Sequence, residues 1–64
     1  MTVFLNGNAI TTSATNLADF LLEHVDGTHV ATALNGEFVA LHHRPTTLLN
    51  DGDRIEALAP MQGG

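Results

Sequence analysis

The chain has 64 residues, 44% of them apolar, no cysteine, and seven acidic against two basic residues for a net charge of −5. That composition describes one small folded unit with a single core. It excludes a disulfide framework, a thiolate metal site and a cysteine nucleophile, and leaves little room for an internal active-site cavity. Arg44 and Arg54, the two bases, are too few to hold a phosphate backbone, so nucleic acid is not an expected partner. No stretch approaches the roughly 18 apolar residues that cross a bilayer, and MTVFLNGN carries neither the basic nor the apolar region of a cleaved signal peptide. A cytoplasmic protein without a membrane partner, monomeric when free, is expected. The acidity suits either a protein partner with a basic face or simple solubility.

In chain order, Thr2-Val3-Phe4-Leu5 is a short β-prone run, Asn6-Gly7-Asn8 a turn, and Ala9-Ile10-Thr11-Thr12 the returning strand, together a β-hairpin. Asn16 is placed to cap a helix, with Asp19 three residues on. Leu17, Phe20, Leu21 and Val25 form one apolar stripe, and Asp26-Gly27 offers a stop, which predicts a helix of about 9–11 residues. His29 to Leu34 is a second apolar run, Asn35-Gly36 a second turn, and Phe38-Val39-Ala40 a short strand. Leu41 to Leu49 reads as irregular and broken by Pro45, with Leu48 and Leu49 packing inward. Asn50-Asp51-Gly52-Asp53 is a dense turn cluster. Arg54 to Leu58 alternates as a half-buried strand with Ile55 and Ala57 on one face and Glu56 on the other, and Pro60 ends it. The order β-β-α-β-β-β predicts an α+β fold, a mixed four- to five-stranded sheet gripping one main helix. Its first and last strands lie parallel at the centre. Residues 1–59 form the globular part of a single domain and residues 60–64 an exposed, flexible tail.

Chemistry concentrates in that tail. A terminal carboxylate is ionised at neutral pH, and Gly63-Gly64 removes every side chain from the last two positions, so that the backbone can thread a narrow channel. The alternative is a frayed glycine end. Met61, with Gln62 and Leu58 beside it, suits a partner contact, while Leu58 could equally pack into the sheet. His24, His29, His42 and His43 show no ligand spacing with a nearby carboxylate, and His42 and His43 would point to opposite sides of an extended segment. No metal site is therefore expected. Neither GxGxxG nor GxxxxGK[ST] occurs, so no phosphate loop is present. Asp51 and Asp53 belong to a turn. With no lysine in the chain, an activated tail would meet none of its own side-chain amines, although a lysine-poor genome explains that equally well.

Leu34-Asn35-Gly36-Glu37, Asn50-Asp51-Gly52-Asp53-Arg54-Ile55-Glu56 and the ending Pro60-Met61-Gln62-Gly63-Gly64 resemble the ThiS family, the sulfur carriers of thiamine biosynthesis, over the whole chain. The resemblance implies a ubiquitin-like β-grasp fold and a carrier rather than an enzyme. It further implies adenylation of the Gly64 carboxylate by an adenylyltransferase resembling ubiquitin-activating enzymes, with ATP and magnesium on that partner and no cofactor on this chain. A persulfide sulfur donor then displaces AMP to leave a thiocarboxylate on Gly64, and thiazole synthase receives the sulfur. Gly63 is carried over as the required neighbour. The small subunit of molybdopterin synthase, a ubiquitin-like modifier of lysines and a plain interaction module with an idle tail remain alternatives.

Overall fold

Asn6-Gly7 and Asn35-Gly36 set the two outer turns of the sheet. In the computed structural model, which describes residues 1–25 and 29–59, both pairs adopt consecutive left-handed conformations, with φ of 49° and 86° in the first and 52° and 86° in the second. Only Asn and Gly enter that region at low cost, and two such residues in succession make the turn whose twist matches paired strands. The first turn joins β1 (Thr2–Leu5) to β2 (Asn8–Thr11), the second joins β3 (Ala31–Leu34) to β4 (Glu37–Val39), and both pairs are antiparallel.

The last strand, β5 (Arg54–Leu58), enters between the two hairpins and gives the order β2-β1-β5-β3-β4. It runs parallel to β1, with Phe4 opposite Arg54 and Leu5 opposite Ile55, and antiparallel to β3, with Ala31 opposite Leu58. The sheet is thus mixed and five-stranded, with the parallel pair that the sequence places at its centre. Each strand sends alternate residues to one face. Val3, Thr32 and Ile55 point under the helix and are buried, with Leu5, Ile10, Leu34, Val39 and Ala57 packed around them.

The helix α1 (Leu17–His24) is too short to stand alone in water and is stable because of what it covers. Leu17, Phe20 and Leu21 are buried against the sheet. Asn16 caps it as expected: its Oδ1 accepts from the Asp19 amide at 2.9 Å, and its Nδ2 donates to the Asp19 carboxylate at 3.1 Å. At eight residues the helix is shorter than the spacing predicts. β-Branched Val25 leaves it in an extended conformation, φ −131°, while its amide still closes the last turn on Leu21 O. The expected stop at Asp26-Gly27 lies outside the described residues, as does the tail from Pro60.

Residues 41–49 differ most from expectation. Leu41–Thr46 form a 3-10 helix that carries Pro45. The hydroxyls of Thr46 and Thr47 donate to His43 O and help close its end. The rings of His42 and His43 lie with centroids 4.1 Å apart, rather than on opposite sides of an extended segment. Leu48 does not pack inward. It is 68% exposed, whereas Leu49 is buried. The cause is a short extended pairing with the helix entrance: Leu17 N donates to Thr47 O and Leu49 N to Thr15 O, with Asn16 bridged to Leu48. Extended neighbours point to opposite sides, so only one of the two leucines can enter the core.

Candidate functional site

The tail emerges from β5, so the geometry that matters for it is how β5 is held and which surface surrounds its end. The entrance to β5 is bolted to the start of β1. Gly52, at φ 87°, donates to Thr2 O at 2.7 Å, and the Thr2 amide donates to the Asp51 carboxylate at 2.8 Å. The Asp53 carboxylate closes the same turn by accepting from the Asn50 amide. Asp51 and Asp53 therefore serve the turn, as their spacing around Gly52 indicates.

The turn asparagines add a second layer that their Asn-Gly pattern does not announce. The Asn35 amide donates to Arg54 O, its Oδ1 accepts from the Arg54 amide, and its Nδ2 donates to the Asp53 carboxylate. On the other side the Asn6 amide donates to Ile55 O, and its carboxamide makes two bonds to the backbone of Ala57, Ala57 N to Oδ1 at 3.0 Å and Nδ2 to Ala57 O at 3.1 Å. β5 is thus clasped near both ends by side chains from the two hairpin turns.

Of the residues read as site candidates, Leu58 is described, and it lies in the strand but 63% exposed. It does not pack into the sheet. Gly63, Gly64, Met61 and Gln62 lie outside the described residues. Leu58 belongs to the sheet face that turns away from the helix. Phe4, 37% exposed, and Phe38, 73% exposed, share that face, because Phe4 pairs with Arg54 and Phe38 with Ala33, which pairs in turn with Glu56. Between the two turns this face dips into a shallow hollow floored by Phe4, Arg54 and Glu56. The face is open and mixed, with Phe4, Phe38 and Leu58 exposed around the charged Arg54 and Glu56 of the central strand, and it forms no enclosed pocket among the described residues. Strand alternation alone marks neither Phe4 nor Phe38 as part of an exposed face. The available signal was the unbroken run Val3-Phe4-Leu5, apolar on both faces of its strand.

Arg44 is the other residue whose role the sequence conceals. It is 5% exposed, with its Nε donating to Thr32 Oγ1 at 3.0 Å and its Nη2 bonded to Val30 O, while Thr32 Oγ1 donates onward to Val39 O at 2.9 Å. It ties the 3-10 helix to β3 and takes no part in an exposed basic surface. Among the described residues no group of three or more His, Asp or Glu is gathered to hold a metal ion, and no helix is long and apolar enough to cross a membrane.

A mixed sheet of order β2-β1-β5-β3-β4 gripping one helix defines the ubiquitin-like β-grasp class. A model of the ThiS family matches residues 3–64. The chain belongs to that family, the small sulfur carriers of thiamine biosynthesis. Two solved structures agree. The crystal structure of the thiamine biosynthesis protein ThiS from Geobacter metallireducens is 30% identical, superposes with a TM-score of 0.82, and is covered in full as this chain is. An NMR solution structure of a thiamine biosynthesis protein from the same organism, also 30% identical, superposes at 0.72 over all of this chain and 88% of that one. A search of curated proteins found no match.

Proposed function

We propose that this chain carries sulfur on the carboxylate of Gly64 for construction of the thiazole ring of thiamine. The observation that carries the reading is the family match, which runs from Val3 through Gly63-Gly64 and so includes the tail. The full-length likeness to a thiamine biosynthesis protein favours thiazole synthase over molybdopterin synthase as the destination.

A carboxylate is a poor acyl donor, because hydroxide or oxide would have to leave. The adenylating partner, holding ATP and magnesium, joins the Gly64 carboxylate oxygen to the α-phosphorus and releases pyrophosphate. The terminal sulfur of a persulfide then attacks the acyl carbon and expels AMP, giving an acyl disulfide. A thiol cleaves the S–S bond, leaving the thiocarboxylate on Gly64 and a disulfide on the donor. This chain has no cysteine, so both the persulfide and the thiol come from partners. What this chain contributes is a terminus without side chains at Gly63 and Gly64, and a docking surface. Leu58 with Phe4 and Phe38 forms the apolar part of that surface, and Met61 and Gln62, which follow β5 in the sequence, are proposed as further contacts. The surplus negative charge favours a partner with a basic rim.

Deletion of Gly63 and Gly64 tests the reading. Loss of partner-dependent pyrophosphate exchange with an unchanged NMR spectrum for residues 1–59 is expected. Undiminished exchange in the truncated chain would contradict it.

A further inference from the structure

β1 and β5 run parallel only as far as Leu5 and Ile55, because at Asn6 the chain turns away into β2. Yet β5 stays extended for three more residues, paired with β3 as far as Leu58 opposite Ala31. On its β1 side, the next backbone groups that need partners are the N–H and C=O of Ala57. A continuing β1 would have offered them a peptide carbonyl and a peptide N–H. The carboxamide of Asn6 supplies the same two groups, at 3.0 Å and 3.1 Å. Ala57 both donates and accepts here, so the amide orientation follows from the bonding itself. The side chain of the turn residue stands in for the carbonyl of one β1 peptide and the N–H of the next.

We infer that Asn6 is a positioning residue for the reaction of the tail, acting through Ala57. The inference rests on the carrier reading above. With Ala57 bonded on the β1 side and its neighbours in register with β3, β5 is held from both sides as far as Leu58, the root of the tail. Without the carboxamide, the N–H and C=O of Ala57 lose both partners, and the end of β5 is held through its pairing with β3 alone. If Ala57 and Leu58 fray, the free segment lengthens by about 7 Å, at roughly 3.3 Å per strand residue. Acyl activation needs the reacting oxygen placed to within about 1 Å, so slack at the root lowers the fraction of docked complexes that react. Docking through the sheet face is left intact. The effect therefore falls on kcat for adenylation and spares KM.

The test uses the full chain with its adenylating partner, ATP and magnesium, and two variants. Asn6→Gly keeps the left-handed turn and removes both bonds. Asn6→Asp keeps the acceptor for Ala57 N–H and loses the donor. Amide hydrogen exchange at Ala57 should quicken about tenfold in Asn6→Gly, as expected for loss of a net hydrogen bond, and stay slow in Asn6→Asp. Exchange at Val3 and Thr32 should not change. In pyrophosphate exchange, kcat should fall about tenfold in Asn6→Gly and less in Asn6→Asp, with KM within about twofold of wild type in both. Unchanged exchange at Ala57 in Asn6→Gly would overturn the inference. So would faster exchange at Ala57 with an unchanged kcat. A wild-type chain inert toward the partner overturns the carrier reading, and the role in the reaction with it. A reactive wild type whose Asn6→Gly variant reacts equally well overturns the positioning role alone.

Discussion

Arg44 donates from Nε to the hydroxyl of Thr32 across 3.0 Å, at a site that leaves the arginine 5% exposed. A buried guanidinium is costly unless its donors are met, and here Thr32 Oγ1 in β3 and Val30 O just before it meet two of them. The hydroxyl passes the bond on to Val39 O, so one network joins the 3-10 helix, β3 and β4. Breaking it should be costly. Arg44→Ala should lower the free energy of unfolding by about 2–3 kcal/mol, since it opens a void and leaves Val30 O without its donor. Arg44→Lys should recover part of that and no more, because a compact ammonium cannot reproduce the fork that reaches both oxygens. Urea unfolding followed by circular dichroism measures both.

Phe20 is fully buried between helix and sheet. Truncation to Ala should cost about 3–5 kcal/mol. A domain of this size has a total stability of roughly 3–10 kcal/mol. Phe20→Ala should therefore be largely unfolded or melt far below wild type, measured by calorimetry. A shift in melting temperature of only a few degrees would mean that the core is not centred on this ring.

The cap at Asn16 makes a smaller, separate contribution. Asn16→Ala removes the acceptor for the Asp19 amide and should destabilise by about 1 kcal/mol without altering the sheet. Chemical denaturation gives the loss, and NMR shifts confined to α1 and to residues 47–49, paired beside it, would show that it is local.

The exposed sheet face should separate binding from folding. Phe38→Ser and Leu58→Asp change residues that are mostly solvent-exposed, so stability should move by less than about 1 kcal/mol. Affinity for the adenylating partner should fall about tenfold or more if these side chains anchor the contact. Isothermal titration with the purified partner reads this directly. Unaltered affinity in both variants would place the docking surface elsewhere.

Much of this architecture is legible in the sequence, because its signals are local. The Asn-Gly pairs announce hairpin turns, Asn16 with the stripe Leu17-Phe20-Leu21 announces the helix, and Asn50 to Asp53 announces the entry to β5. Residues 41–49 are not legible in this way. The 3-10 helix and the outward turn of Leu48 depend on pairing with Thr15 and Leu17, which are distant in sequence. The second tasks of Asn6, Asn35 and Arg44 are likewise set by strands that join only in the folded chain. A turn residue or a lone arginine carries no local mark of them. The candidate site divides along the same line: the glycine tail is visible as composition, whereas the face of Phe4, Phe38 and Leu58 needs the strand order before its members come together.

The intact mass of the chain after reaction with the adenylating partner, ATP, magnesium and a persulfide donor tests the sulfur-carrier function most directly. Exchange of one oxygen for sulfur should raise the mass by about 16 Da, and fragmentation should place the gain on Gly64. An unchanged mass with active partner enzymes, or a gain located on any other residue, would contradict it.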